Sequence, residues 1–447
     1  MEINILKIKQ SIVYTIKIAW IVLFLVICGT QVLFSQSDPI QLGDTLKQNF
    51  NTIGTSPTFY MPGAWRLRKE DLVRTYSDYT INNYQISDYT AGSNMSSSAS
   101  AGFYNFSDGT NTNDRAVGGI SSSSWSYQSI NIMEKIRNSG LSLIEKFKIS
   151  YSIEKYRNGT NPAGYRIQMA YGTSGTSWTN AGADFLTLFP ADANNNGYTN
   201  APVSTYIYNK YINVSLNPGG FLYFAWNYSV ASGSLTASAQ ALALDDVMII
   251  PIAKPNVNTL SCSNSTSTSL TVNGEITNVN GDLATERGFI LYEADGTDKI
   301  IGGAGVSQYA ENGLFNIGQF SHIFSNLCPN ITYSIRAYAI NACGITYGAK
   351  QNCSTIPVSL NLSTSSPICA NDNFSINATL ITGATYHWTN STGIIQPSTT
   401  NILNLNLPAA TYTYNCYYTL ACGYTSPVSS ITITISPKPL TSNIYHY

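Results

Sequence analysis

The chain has little charge. Only 11% of its 447 residues are Asp, Glu, Lys or Arg, and the formal net charge is −1. It therefore lacks the positive surface with which proteins bind nucleic acid or an acidic membrane. Histidine is also scarce, with His322, His387 and His446 as the only three, and no H-E-x-x-H, G-x-S-x-G or C-x-x-C motif occurs. These absences predict a protein that is not an enzyme.

A long apolar run is missing as well. The longest, residues 18–28, has 11 residues and follows three lysines, whereas a membrane-spanning helix needs about 20. The run predicts a secretory signal peptide over residues 1–36, hence a secreted or cell-surface protein with no membrane insertion after signal cleavage. A retained anchor and a lipid anchor at Cys28 are the alternatives, and the bulky Ile27 disfavours the second.

Cysteine is absent from residues 29–261, and seven cysteines then fall between Cys262 and Cys422. Such a sudden onset marks a domain boundary. The chain after the signal has about 410 residues, which predicts two to four domains. Its aromatic content of 12%, including 31 Tyr, supplies enough buried surface for ordered β-structure.

Within a predicted domain of residues 37–252, residues 50 to about 252 show short alternating patterns broken by Gly, Asn, Asp and Ser. In residues 147–153 every second residue is apolar, which predicts a strand with one buried face. Residues 130–137 keep the same period, and the turn-forming residues 138–140 follow, so we expect a β-hairpin. Further strands are predicted at residues 165–171, 206–216, 221–228 and 241–250. The pattern predicts an all-β fold that begins with a jelly-roll β-sandwich.

Several segments of this region carry a resemblance. They are N-F-N-T-I-G at 49–54, M-P-G-A-W-R at 61–66, D-R-A-V-G at 114–118, and residues 151–157 and 241–249. In that order they resemble an N-terminal β-sandwich module of secreted multidomain proteins of the Bacteroidetes type. That module is similar to concanavalin-like and carbohydrate-binding jelly rolls and usually precedes small β-sandwich repeats.

Two small sandwiches are predicted after a linker bracketed by Pro251 and Pro255. Residues 256–356 resemble a fibronectin type III-like domain, with strands at 268–274 and 286–292 and a corner tyrosine at Tyr333. Residues 357–437 resemble an immunoglobulin-like domain, with Trp388 buried on one sheet and late strands at 412–418 and 431–435. Residues 438–447 follow as a linker or truncated tail, which suggests a fragment of a longer protein.

The two small domains echo each other in the segments A-C-G-I-T at 342–346 and A-C-G-Y-T at 421–425. From this echo we infer two equivalent disulfides, and two further cysteines then remain to pair with each other, although connectivity cannot be read from sequence alone. The equivalent pairs are Cys262 with Cys343 and Cys369 with Cys422, and the remaining pair is Cys328 with Cys353. Cys416 is left over, and a buried free thiol is favoured over an intermolecular partner.

Two sets of residues have oxygen ligands suited to calcium. Asp192, Asn194 and Asn196 alternate before Gly197, but an Asn-rich turn is the competing interpretation. Asp245 and Asp246 lie in the segment that resembles the last strand of jelly rolls, where an acidic residue often coordinates structural calcium. The alternative is one solvent-facing Asp and one Asp that accepts backbone hydrogen bonds. No other cofactor is expected.

Aromatic side chains are the candidate groups for ligand binding, because sugars stack on Trp and Tyr. Trp178 lies in a turn-rich segment, and Tyr206 and Tyr208 share one face of a strand; a structural role is the alternative for each. We therefore expect adhesion, with an extracellular glycan or matrix polymer as partner.

Other functions stay open. The chain is alternatively the non-catalytic front part of a secreted hydrolase, or a structural surface-layer component. Glu134, Glu145 and Glu154 are too scattered to match the paired Glu of jelly-roll glucanases, although carboxylates from distant strands can also form such a pair.

Overall fold

The computed structural model describes residues 37–56, 58–79, 89–91, 95, 97–107, 113–122, 127–198 and 203–439, with backbone only at 89–91. The predicted signal peptide, His446 and residues 440–447 of the predicted tail lie outside these ranges. The chain divides into two compact units, the first ending at Ala253 and the second beginning at Lys254.

The described part of the first unit is built from fourteen strands and two short 3-10 helices, Asn51–Ile53 and Ala183–Phe185. The strands are β1 Asp38–Ile40, β2 Leu46–Gln48, β3 Arg66–Glu70, β4 Tyr89–Ala91, β5 Gly102–Phe106, β6 Ala116–Ile120, β7 Ser129–Asn138, β8 Ile144–Arg157, β9 Tyr165–Gly172, β10 Thr179–Asn180, β11 Leu186–Phe189, β12 Val203–Leu216, β13 Phe221–Val230 and β14 Ala241–Ile252.

These strands form two seven-stranded sheets. The first has the order β1-β7-β13-β9-β10, with β3 beside β7 and β11 beside β9. The second has the order β12-β8-β14-β6-β5-β4, with β2 beside β14. Strands β6 to β9 alternate between the sheets, as do β12 to β14, and this alternation is typical of jelly-roll sandwiches. The predicted all-β sandwich is confirmed.

The predicted hairpin of residues 130–153 is wrong. Both strands exist, as β7 and β8, but β7 pairs with β13 in one sheet and β8 pairs with β12 and β14 in the other. Alternating apolar residues are equally compatible with a hairpin and with an arch between two sheets, because both leave one face of each strand buried.

The core lies between the two sheets. Ile149, Tyr151 and Ile153 of β8 face it, and so does Trp226 of β13, whose ring stacks on that of Trp65 with 5.4 Å between centroids. Each such side chain contributes roughly 1.5–3 kcal/mol on burial.

Two β-bulges interrupt the second sheet on either side of β8. On β12 the register with β8 shifts between Ile207 and Lys210, and on β14 it shifts between Asp245 and Met248. Asn209 and Asp246 adopt positive φ angles of 50° and 47° there, which Asn and Asp tolerate better than other side chains. A bulge bends the strand that carries it and locally increases its twist.

The second unit, described as far as residue 439, contains fifteen strands in four sheets within that range. The strands are β15 Asn256–Ser263, β16 Leu270–Asn278, β17 Ala284–Glu293, β18 Ser307–Phe315, β19 Gly318–Phe324, β20 Thr332–Asn341, β21 Gly344–Tyr347, β22 Gln351–Ser354, β23 Leu362–Thr364, β24 Ile368–Cys369, β25 Asn373–Ala378, β26 Thr385–Asn390, β27 Ile402–Asn406, β28 Thr411–Thr419 and β29 Ser429–Ser436.

These sheets pair into two small sandwiches with separate cores. The first combines β15-β16-β19 with β18-β17-β20-β21, with β22 beside β20; the second combines β23-β25-β27 with β24-β29-β28-β26. The corner tyrosine is confirmed, because the Tyr333 hydroxyl accepts the Cys328 backbone N–H at 2.9 Å. Trp388 is fully buried on β26, as predicted.

All three predicted disulfide pairings are wrong. The structure pairs Cys262 with Cys353, and Cys328 with Cys422. Neither Cys343 nor Cys369 is in a disulfide, and Cys416 is a fully buried free thiol, as expected.

Strand length explains the two main errors. Cys343 adjoins Gly344, which lies beside Lys254 before the start of β15, whereas Cys262 lies near the other end of that strand. Cys369 pairs with the last residue of β29, whereas Cys422 precedes the first. At about 3.3 Å per residue, both predicted pairs far exceed the reach of a disulfide.

Across the described ranges, no helix is long and apolar enough to cross a membrane.

Candidate functional site

A cleft of about 400 Å³ opens on the outer face of the second sheet of the first unit. Each of four neighbouring chain segments contributes three consecutive residues to its lining. They are Lys47, Gln48 and Asn49 at β2, Ser150, Tyr151 and Ser152 on β8, Tyr206, Ile207 and Tyr208 on β12, and Asp246, Val247 and Met248 on β14. The cleft therefore sits where the two bulges flank β8.

Two tyrosines dominate one wall of the cleft. The side chains of Tyr206 and Tyr208 are 69% and 71% exposed. Tyr206 is opposite Ser152 in the β-ladder, and Tyr208 precedes the bulge residue Asn209, whose N–H donates to Ser150 Oγ at 2.9 Å. The structure thus brings together two residues that the sequence nominated for ligand binding.

The opposite wall carries carboxyl groups. Asp246 is exposed, whereas Asp245 is only 2% exposed and lies on the same face of the sheet as its ladder partner Ser152. Asp245 Oδ1 and Ser152 Oγ are both buried without a hydrogen-bond partner among the described residues. Leaving such atoms unpaired costs about 1–3 kcal/mol each.

The carboxyl groups of Asp245, Asp246, Glu154 and Asp114 influence one another. Burial, together with repulsion from the other three, raises the pKa of Asp245 to about 9. Burial and the charge of Asp114 also raise the pKa of Asp246. The pKa of Glu154 is raised mainly by burial, although the Tyr156 hydroxyl donates to its Oε2 at 2.6 Å. This wall is therefore a region of negative potential.

The end of the cleft at β2 is different. Lys47 contributes a positive charge beside Gln48 and Asn49. Gln48 Oε1 accepts the Phe50 N–H at 2.7 Å, which fixes the amide so that its nitrogen remains a donor. No local sequence pattern singles out Lys47, Gln48 or Ser152, because their proximity depends on the pairing of β2, β8 and β14.

Trp178 lies away from this cleft. Its ring stacks on Tyr76 with 6.1 Å between centroids, and its indole N–H donates to the Ser77 carbonyl at 3.0 Å. These contacts give the side chain a packing role in the structure. The predicted role in ligand binding stays a prediction.

The predicted calcium ligand Asp192 has protein partners. Its carboxylate accepts hydrogen bonds from Lys155 Nζ at 2.7 Å, Gln240 Nε2 at 2.7 Å and the Gly159 N–H at 2.9 Å. Burial alone would raise the pKa of Asp192, but these bonds outweigh it and lower the pKa. A carboxylate already paired with an ammonium group is a poor calcium ligand.

The neighbouring asparagines form a turn. Asn194 Oδ1 accepts the Asn196 N–H at 2.9 Å, as in an Asx turn. Within the described residues, no group of three or more His, Cys, Asp or Glu side chains is placed to hold a metal ion. Calcium binding by Asp245 and Asp246 stays a prediction.

The described histidines have structural contacts. The rings of His322 and Tyr309 stack with 3.7 Å between centroids. The rings of His387 and Tyr417 stack with 4.6 Å between centroids, and His387 Nε2 lies 3.1 Å from Thr419 Oγ1. These contacts give both rings a role in strand packing.

Comparison with known proteins yields structural matches alone, because no family model and no curated protein matches the chain. The sensor domain of the anti-sigma factor RsgI4 of Pseudobacteroides cellulosolvens is 14% identical, with a TM-score of 0.20; the match covers 24% of this chain and 98% of that one. Two fibronectin type III domains of chicken tenascin are 13% identical, with a TM-score of 0.24, over 40% of this chain and 99% of that one.

The fibronectin(III)-like modules of Clostridium thermocellum CbhA are 10% identical, with a TM-score of 0.16, over 43% of this chain and 100% of that one. Because these TM-scores are below 0.5, the likenesses establish neither fold nor function for this chain. The description as a modular all-β protein rests on its own strands and sheets.

Proposed function

We propose that this protein is a secreted modular binding protein that holds a glycan in the cleft of its first unit. The observation that carries the proposal is the pair Tyr206 and Tyr208, about 70% exposed beside a cleft lined with polar groups. Sugars present flat C–H faces to aromatic rings and hydroxyls to polar groups, and the cleft offers partners for both.

The size and lining of the cleft support a small ligand segment. About 400 Å³ lies within the range of ligand pockets. Lys47 and the Gln48 amide nitrogen are donors, and the Asp246 carboxylate is an acceptor. A sugar ring stacked on Tyr206 or Tyr208 has hydroxyls that satisfy both kinds of group.

The second unit has features that suit a spacer. Its two sandwiches are joined by the Cys328–Cys422 disulfide, and the first is cross-linked between its sheets by Cys262–Cys353. Disulfides persist in oxidising, extracytoplasmic compartments, which fits secretion.

The test is a glycan array probed with the intact protein, followed by calorimetry on the glycans that bind. We expect the Tyr206→Ala and Tyr208→Ala variants each to lose roughly fivefold in affinity, because an aromatic contact contributes about 1 kcal/mol. Tyr60→Ala is the matched control, since Tyr60 is 69% exposed outside the cleft. Failure to bind any glycan, or equal losses in the control, would overturn the proposal.

A further inference from the structure

We propose that the glycan held in this cleft carries a free ammonium group, as in a polymer of amino sugars without N-acetylation. This inference rests on the proposed function and specifies its ligand class. It follows from the charge of one wall, from two buried atoms without partners, and from the tyrosines.

The carboxyl groups at β14 favour a cation. Asp246 lines the cleft, the charges of Glu154 and Asp114 act on Asp245, and the charge of Asp114 acts on Asp246. Mutual repulsion of these groups is relieved when a positive charge enters. An acidic sugar would instead add to the repulsion.

Two buried side-chain oxygens on β8 and β14, next to the cleft, have no hydrogen-bond partner among the described residues. These oxygens are Asp245 Oδ1 and Ser152 Oγ, and Asp245 and Ser152 are each less than 3% exposed. They lie side by side, because Asp245 and Ser152 are opposite each other in the ladder. An ammonium group has three donors and no acceptor, so it complements the Asp246 carboxylate and the Ser152 hydroxyl oxygen, which belong to residues that line the cleft.

The tyrosines complete the arrangement. Tyr206 is the β12 partner of Ser152 on the same face of the sheet, and its ring is exposed. Aromatic faces attract ammonium groups, and this attraction adds to carboxylate pairing. Lys47, at the β2 end, repels an ammonium group there and donates to sugar hydroxyls instead, which orients the amine towards Asp246.

The experiment compares glucosamine oligosaccharides with N-acetylglucosamine oligosaccharides of equal length. Binding to the intact protein is measured by calorimetry, with chelator present, at a pH below the pKa of the sugar amine and above that of Asp246. We expect the glucosamine oligomer to bind about tenfold more tightly, and the preference to shrink as salt is added.

Asp246→Asn removes the charge but tolerates the positive φ of residue 246. We expect this variant to bind both oligomers equally. Asp71→Asn, the same charge change at an exposed residue away from the cleft, is expected to keep the preference.

Equal binding of the two oligomers by the wild type, an unchanged preference in Asp246→Asn, or binding that requires added calcium would overturn the inference. If Tyr206→Ala still weakens binding of the N-acetylated oligomer in that case, the proposed function stands without the ammonium preference. If neither oligomer nor any arrayed glycan binds, both proposals fall.

Discussion

Cys328 and Cys422 form a disulfide between the two small sandwiches of the second unit, 94 residues apart in the sequence. Cys328 lies in the loop before β20, and Cys422 lies in the loop between β28 and β29. The only backbone connection between these sandwiches is the segment around residues 355–361, which forms no strand. The disulfide is thus a second covalent connection between two bodies with separate cores.

Removal of this disulfide is expected to let the two small sandwiches move relative to each other without unfolding either one. In the double variant Cys328→Ser with Cys422→Ser, residues 355–361 become more sensitive to limited proteolysis, because the segment is then free to swing. Cys343→Ser is the control, since Cys343 is in no disulfide. A digestion pattern identical to that of the wild type would show that packing alone fixes the two small sandwiches relative to each other.

The corner tyrosine of the first small sandwich gives a second prediction. Tyr333→Phe removes the hydroxyl that accepts the Cys328 N–H and leaves the ring in place. We expect the free energy of unfolding of this sandwich to fall by about 1 kcal/mol, measured by denaturant titration. Tyr309→Phe, in the same sandwich, is the control; a similar loss there would assign the effect to something other than the corner hydrogen bond.

Asp192 gives a third prediction. Asp192→Asn removes the negative charge that pairs with the Lys155 ammonium group. Because the Lys155 side chain is only 8% exposed, we expect a loss of roughly 2–4 kcal/mol in stability. Asn194→Ala, in the exposed turn, is expected to cost much less. The melting temperature of the wild type is measured with and without chelator; a fall on chelation that disappears in Asp192→Asn would restore calcium as the partner of this carboxylate.

The sequence was informative about local pattern and uninformative about non-local pairing. Alternation located β8 and its buried face, with Ile149, Tyr151 and Ile153 towards the core. It left the choice between a hairpin and an arch open, and the hairpin interpretation was wrong. The predicted disulfide pairings were wrong for the same reason, since a repeated A-C-G motif does not show at which end of a neighbouring strand a cysteine lies.

The candidate site was foreseeable only in pieces. Tyr206 and Tyr208 were nominated as aromatic residues that share one face of a strand, and Asp246 was nominated by a resemblance to jelly rolls. Their meeting depends on the placement of β12 and β14 on either side of β8 and on a bulge in each. Asn and Asp permit the positive φ of such bulges, but they also fill ordinary turns, so the residue types alone could not locate them.

The last prediction concerns Asp245 and pH. Its pKa is about 9 in the folded protein because of burial and the neighbouring carboxyl groups, and near 4 in the unfolded chain. Between these values the folded state binds more protons than the unfolded state, so stability falls as pH rises from about 4 to 9. Asp245→Asn cannot ionise, and we expect its stability to fall less steeply over this range. Some slope remains, because Glu134 and Glu154 also have raised pKa values. Denaturant titrations at several pH values measure the slopes, with the exposed Asp71→Asn as control; equal slopes in Asp245→Asn and wild type would show that Asp245 is ionised in the folded protein at neutral pH.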